Sequence, residues 1–127
     1  MKLVIGGYSQ GKLGVVLSNY KEEEVEVFDG LLPPDEEQLT KTVIINHFHN
    51  WVRNRLLQEK KPEAEIESYL KKHPQTIIIS DEIGNGIVPV DAFEREYRER
   101  TGRILVNLAK QADEVVRVIC GIGQKIK

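Results

Sequence analysis

Cysteine is almost missing from this sequence: Cys120 is the only one. A single thiol excludes an internal disulfide framework and a cysteine-based zinc site. Excess positive charge is missing too. The 18 Lys and Arg face 20 Asp and Glu, for a net charge of −2, so the electrostatic footprint of a nucleic-acid-binding domain is lacking. No apolar run approaches the roughly 20 residues of a membrane helix. The opening MKLVIGGYSQGK turns glycine-rich too early for a secretory signal. These absences set the expectations: a cytoplasmic location, with neither nucleic acid nor membrane as partner. Internal repeats and low-complexity tracts are also absent.

The sequence has 127 residues, 40% apolar and 30% charged, the size and balance of one folded domain spanning residues 1–127. Its apolar runs are short and β-branched: Leu3-Val4-Ile5, Val25-Glu26-Val27-Phe28, Thr42-Val43-Ile44-Ile45, Thr76-Ile77-Ile78-Ile79 and residues 115–119. Runs with little polar alternation fit strands buried on both faces of a parallel sheet. Helical signals lie between them. One helix spans about 47–60, with Phe48, Trp51, Val52 and Leu56 as its apolar face. Another opens at Pro62, carries Ile66, Tyr69, Leu70 and His73 at helical spacing, and stops before Pro74. A third starts at Asp91, with Glu94 placed for a capping box. Its stripe runs Phe93, Tyr97, Ile104, Leu105, Leu108 and Ala112, interrupted by Gly102. Strands alternating with helices predict an α/β fold with a mostly parallel sheet. Pro33-Pro34 and the acidic Asp35-Glu36-Glu37 predict a surface connection.

Directly after the first strand comes Gly6-Gly7-Tyr8-Ser9-Gln10-Gly11-Lys12-Leu13. This matches the G-x-x-x-x-G-K part of a phosphate-binding loop. Glycines let backbone N–H groups curl around a phosphate, the following helix points its positive end there, and Lys12 adds a point charge. Leu13 stands where such loops carry the Ser or Thr that holds Mg²⁺. The motif on its own leaves two readings open, an ancestral phosphate loop or a tight strand-to-helix turn.

A segment in the C-terminal half separates them. Ile77-Ile78-Ile79-Ser80-Asp81-Glu82-Ile83-Gly84-Asn85-Gly86-Ile87-Val88-Pro89 resembles the "SNEVGxGIVP" segment of the adenosylcobinamide kinase/adenosylcobinamide-phosphate guanylyltransferase family of cobalamin biosynthesis. Tyr97-Arg98-Glu99 is similar to that family's "FRD", with Gly102-Arg103 at matching spacing. Ala112-Asp113-Glu114-Val115 and residues 121–127 resemble its ending. Residues 43–54 are similar to its "vLvDCLTLWvtN", and residues 6–12 fall where it has "GGxxSGKS". The resemblance covers most of the chain in order, with one gap. It implies a three-layer P-loop fold of the RecA-like type, with a mostly parallel central sheet flanked by helices. It also implies GTP or ATP at the glycine loop, a nucleotide or cobinamide-like small molecule as ligand, and a homotrimer.

Departures from the family pattern bear on the chemistry. Leu13 replaces the Mg²⁺-binding hydroxyl, and Asn46 replaces the acidic residue that closes the second motif's strand, so no metal site is assigned. The family's guanylylated histidine lies in an "H-R-x-x-R-P-x-x-W" segment; the corresponding residues 29–41, DGLLPPDEEQLTK, hold no His, Arg or Trp. Leu105-Val106 replaces the family's "NQ". These losses argue against full kinase and guanylyltransferase activity. The expected phosphate-binding residues are Gly6, Gly7, Gly11 and Lys12, with Glu82 as the surviving acid or as a cap on the loop after it. Gly84, Gly86 and Pro89 are expected to fix a backbone turn. The rival reading is a non-catalytic, ligand-sensing or protein-interacting pseudoenzyme.

The remaining candidates have plainer expected roles. His47 and His49 point to different faces if helical and make poor joint metal ligands. His47 as a replacement guanylyl acceptor would need a carboxylate to orient it; the simpler reading is a half-exposed residue at a helix start. His73 is expected to cap a helix end, Trp51 to sit in the core or an interface, and Cys120 to pack inertly inside an apolar strand.

Overall fold

The computed structural model describes residues 1–34, 39–83 and 91–127. The glycine–proline turn expected at Gly84, Gly86 and Pro89 and the acidic Asp35-Glu36-Glu37 lie outside them. Six strands form one sheet in the order β2-β3-β4-β1-β5-β6. In chain order they are β1 (Lys2–Gly6), β2 (Val25–Asp29), β3 (Thr42–Asn46), β4 (Ile77–Asp81), β5 (Glu114–Ile119) and β6 (Ile122–Lys125). The first five are parallel and β6 runs antiparallel against β5. The α-helices among the described residues are α1 (Lys12–Leu17), α2 (Phe48–Leu57), α3 (Pro62–Lys72) and α4 (Ala92–Gln111). The expected α/β architecture with a mostly parallel sheet is therefore present.

Alternation along each strand divides the core in two. Leu3, Val43, Ile45, Ile78 and Val115 point to a face covered by α2, α3 and α4. Val4, Ile44, Ile77, Ile79, Val116 and Val118 point to the opposite face, which α1 covers through Val16. Both faces are buried, which is why β3 and β4 read as unbroken apolar runs. The outer strands alternate or are exposed. The layers are unequal: three longer helices lie on one side and a six-residue helix on the other, where Val27 remains largely exposed. Phe48, Val52, Ile45 and Ile78 have no exposed surface, and each contributes about 2 kcal/mol by burial.

The helix ends follow local chemistry. Pro62 stands at the first turn of α3, where its missing N–H costs nothing. The Asp91 carboxylate accepts from the N–H groups of Phe93 and Glu94 and caps α4. Gly102 does not interrupt that helix. Thr101 fills the gap in the apolar stripe, fully buried, with its hydroxyl unpartnered among the described residues. Strand β6 was not expected from its sequence, Ile-Gly-Gln-Lys. It forms because Cys120 (φ 50°) and Gly121 (φ 74°) make a two-residue turn with positive φ at both positions, which brings the chain back beside β5. Cys120 is thus an exposed turn residue and not strand packing, a correction that follows from the Cys-Gly pair serving as a hairpin turn.

Asp91→Ala removes the cap of α4 and is expected to destabilise the protein by about 1 kcal/mol, read as a shift in the urea unfolding midpoint with an unchanged slope.

Candidate functional site

The carboxyl ends of β1 and β4 lie side by side, with Gly6 in register with Asp81. Carboxyl ends of parallel strands are where open α/β sheets bind ligands. The glycine loop leaves β1 here. Gly6 is required by close approach: a Cβ would sit 2.6 Å from the Val118 carbonyl oxygen of β5. Gly11 has φ 82° immediately before α1, a backbone that suits glycine. The loop is tied to the β5–β6 turn by Gln10, whose side-chain oxygen accepts from the Cys120 N–H at 2.7 Å. Its carbonyl accepts from the Gly121 N–H at 2.8 Å. These bonds give the exposed hairpin a role, because it braces the loop.

Lys12 does not extend into solvent. It is only 7% exposed. Its ammonium donates to the Gly7 carbonyl at 2.7 Å and meets Asp81 Oδ1 at 2.7 Å. The second Asp81 oxygen lies 3.3 Å from Nε2 of His49, and the Asp81 backbone N–H donates to His49 Nδ1 at 3.1 Å. A backbone N–H can only donate, so Nδ1 carries the lone pair and Nε2 the proton. Burial lowers the His49 pKa below its ordinary value, opposed by the Asp81 charge and helped by His47 and Lys12. Tyr97, its own pKa pushed up to about 12 mainly by burial, donates to the His49 carbonyl at 3.1 Å. This fixes the first turn of α2. Arg53 lies over the Tyr97 ring at 5.2 Å and pairs with Glu94.

A second cluster stands at the carboxyl ends of β2 and β3, where Asp29 is in register with Asn46. The buried Asn46 amide donates to Asp29 Oδ1 at 3.1 Å. Nδ1 of His47 lies 2.5 Å from the same oxygen. His47 is the residue before α2 and adopts φ 51°, ψ 48° without capping the helix through its side chain. This left-handed backbone costs a histidine about 1 kcal/mol or more. The His47 and His49 rings meet edge to face, their centroids 5.7 Å apart. The two clusters therefore form one polar chain along the sheet edge.

Of the residues singled out from sequence, Gly6, Gly7, Gly11 and Lys12 come together as one loop. Glu82 is adjacent, its N–H donating to the Gly6 carbonyl at 2.8 Å and its carboxylate held by Arg117 at 2.7 and 3.2 Å. The acid in contact with Lys12 is Asp81, which sequence reasoning passed over. Asp29 and the buried role of His49 were passed over as well. Strand-end position was the available signal for both acids, since each is the last residue of its strand. The residues do not fit the Mg²⁺ arrangement of a phosphate loop. Leu13 supplies no oxygen and packs toward the core, while Asn46 turns its NH₂ to Asp29. Trp51 is in the core, stacked on Phe48 at 5.4 Å. His73 ends α3 at the opposite edge, its ring 4.7 Å from Tyr69. A groove of about 770 Å³ between residues 30–34 and helices α2 and α3 includes none of the loop residues.

The His49 geometry fixes a pH dependence. Its folded pKa is lowered, so the unfolded chain binds the extra proton first, and stability present above about pH 6.5 is lost as the pH falls. His49→Asn, which keeps an acceptor for the Asp81 N–H, is expected to flatten the fall in unfolding free energy toward pH 5. Parallel curves for the two proteins would contradict the assignment.

Comparison with known sequences adds independent findings. The profile of the family described as cobinamide kinase / cobinamide phosphate guanyltransferase matches residues 18–126. The match begins after the glycine loop. The chain is similar to the bifunctional adenosylcobalamin biosynthesis protein CobU of Salmonella typhimurium, 43% identical over 53 residues, which are 42% of this chain and 29% of the relative. It is similar to the protein of the same name from Escherichia coli strain K12, 38% identical over 73 residues, 54% of this chain and 40% of the relative. The chain thus spans less than half the length of the curated relatives it matches.

Proposed function

The chain belongs to the cobinamide kinase / cobinamide phosphate guanyltransferase family, and from that premise we propose that it serves cobalamin biosynthesis as a nucleotide-binding protein. The glycine loop takes the phosphates of GTP or ATP through its N–H groups and Lys12. The observation that carries this reading is the position of Lys12: it closes a glycine loop at the carboxyl end of β1, its ammonium held on Asp81 by a single ion pair. A phosphate oxygen that reaches the loop competes with Asp81 for that ammonium. Charged hydrogen bonds of this kind are the stronger ones in proteins. Guanylyl transfer through the family's histidine segment is lost, because residues 29–41 contain no histidine. Binding is independent of Mg²⁺, since Leu13 and the amide of Asn46 leave the metal without its usual partners. Glu82, clamped by Arg117, supports the loop from beneath through its N–H.

The same burial of Lys12 favours a second reading, a pseudoenzyme in which the ion pair is permanent and the inherited surface binds a partner. Calorimetric titration with GTP and ATP, each with and without Mg²⁺, separates the two. Metal-independent binding is expected, and Lys12→Ala is expected to weaken it roughly 10- to 100-fold, the worth of a charged hydrogen bond. Absence of nucleotide binding by the native protein would leave the pseudoenzyme reading standing.

A further inference from the structure

The geometry points to Nε2 of His47, oriented by Asp29, as the proton acceptor for a hydroxyl-bearing substrate that receives a phosphoryl group from the nucleotide; this rests on the nucleotide-binding reading above. His47 sits where a helix-capping residue is expected, yet it has neither the usual extended backbone nor a side-chain capping bond. Its ring turns instead to Asp29, which engages Nδ1. When Asp29 accepts the Nδ1 proton, the lone pair is on Nε2, the arrangement that prepares an imidazole for general-base work. Nε2 has no partner among the described residues, and the side chain is 46% exposed. Asn46 donates to the same Asp29 oxygen and holds that carboxylate in place. His49, the neighbouring imidazole, is unsuited to the task, because both its nitrogens are committed to Asp81. A left-handed backbone at a histidine is the kind of local strain that collects at functional positions.

The step balances simply. The hydroxyl oxygen of the acceptor forms a bond to the terminal phosphorus of the nucleoside triphosphate, and the bond from that phosphorus to the bridging oxygen breaks. Nucleoside diphosphate leaves, carrying the negative charge. The hydroxyl proton passes to His47 Nε2, Asp29 stays ionised beside the imidazolium, and the proton then goes to water. The contacts Lys12–Asp81, Asp81–His49 and His49–His47 link the phosphate loop to this imidazole along one edge of the sheet, with Lys12 serving the phosphates and His47 the acceptor.

His47→Gly tests this without unfolding the protein, because glycine adopts the left-handed backbone freely. With GTP or ATP and cobinamide as the acceptor, the variant is expected to bind nucleotide as the native protein does. Its thermal stability should be equal or higher, and its kcat should fall about 100-fold or more. Free imidazole in the buffer is expected to restore part of the lost rate. Asp29→Asn should show the same fall, because an amide NH₂ reverses the tautomer. Transfer at the native rate in His47→Gly would overturn the assignment, and so would an acid-labile phosphoryl adduct on His47, which would make it a covalent acceptor. A native protein that binds nucleotide but transfers nothing also overturns it. Failure of the native protein to bind nucleotide overturns the underlying reading, and the role of His47 with it.

Discussion

The ion pair between Lys12 and Asp81 governs the carboxyl edge of the sheet. Both groups are largely withdrawn from water, and an unpaired charge there would be costly. Each therefore depends on the other and on the groups around it: the Gly7 carbonyl for the ammonium, and the His49 Nε2–H for the second carboxylate oxygen. The pair joins the start of α1 to β4, and Asp81 in turn joins β4 to α2 through His49. On the proposed reading, an anion that reaches the loop competes with Asp81 for Lys12, so binding and reorganisation of the edge would be one event.

That edge had little chance of being read from the chain. The glycines and Lys12 were legible because they sit next to one another and follow a strand. Asp81 lies across the sheet from Gly6, and only the strand order β4-β1 makes it the partner of Lys12. Asp29 and Asn46 meet for the same reason. Glu82 stands out in the sequence because of its place in a motif, while Asp81, the residue before it, makes the contact. A strand's period of two sends neighbouring side chains to opposite faces, so one position decides which acid faces the loop. His49 looked like a helix residue of no consequence, since nothing in its neighbours announces a partly buried carboxylate 32 residues away.

The fold was much more legible. The β-branched runs gave β1 to β5, the proline at the start of α3 and the aspartate at the start of α4 mark real boundaries, and the parallel sheet follows from the lack of polar alternation. The hairpin that adds β6 was hidden, because Cys120 disguised a turn as the end of an apolar run. Membership of the cobinamide kinase / cobinamide phosphate guanyltransferase family explains the scaffold. It does not explain the edge, where two imidazole–carboxylate pairs, His47 with Asp29 and His49 with Asp81, stand side by side.

The central claim is that a phosphate must take Lys12 from Asp81. A crystal structure of the protein with GTP bound tests it most directly. The account predicts the Lys12 ammonium within hydrogen-bonding reach of a phosphate oxygen and beyond ion-pair distance of Asp81, with His49 still on the carboxylate. Nucleotide bound at the loop while the pair stays at its present 2.7 Å and Lys12 touches no phosphate would contradict it.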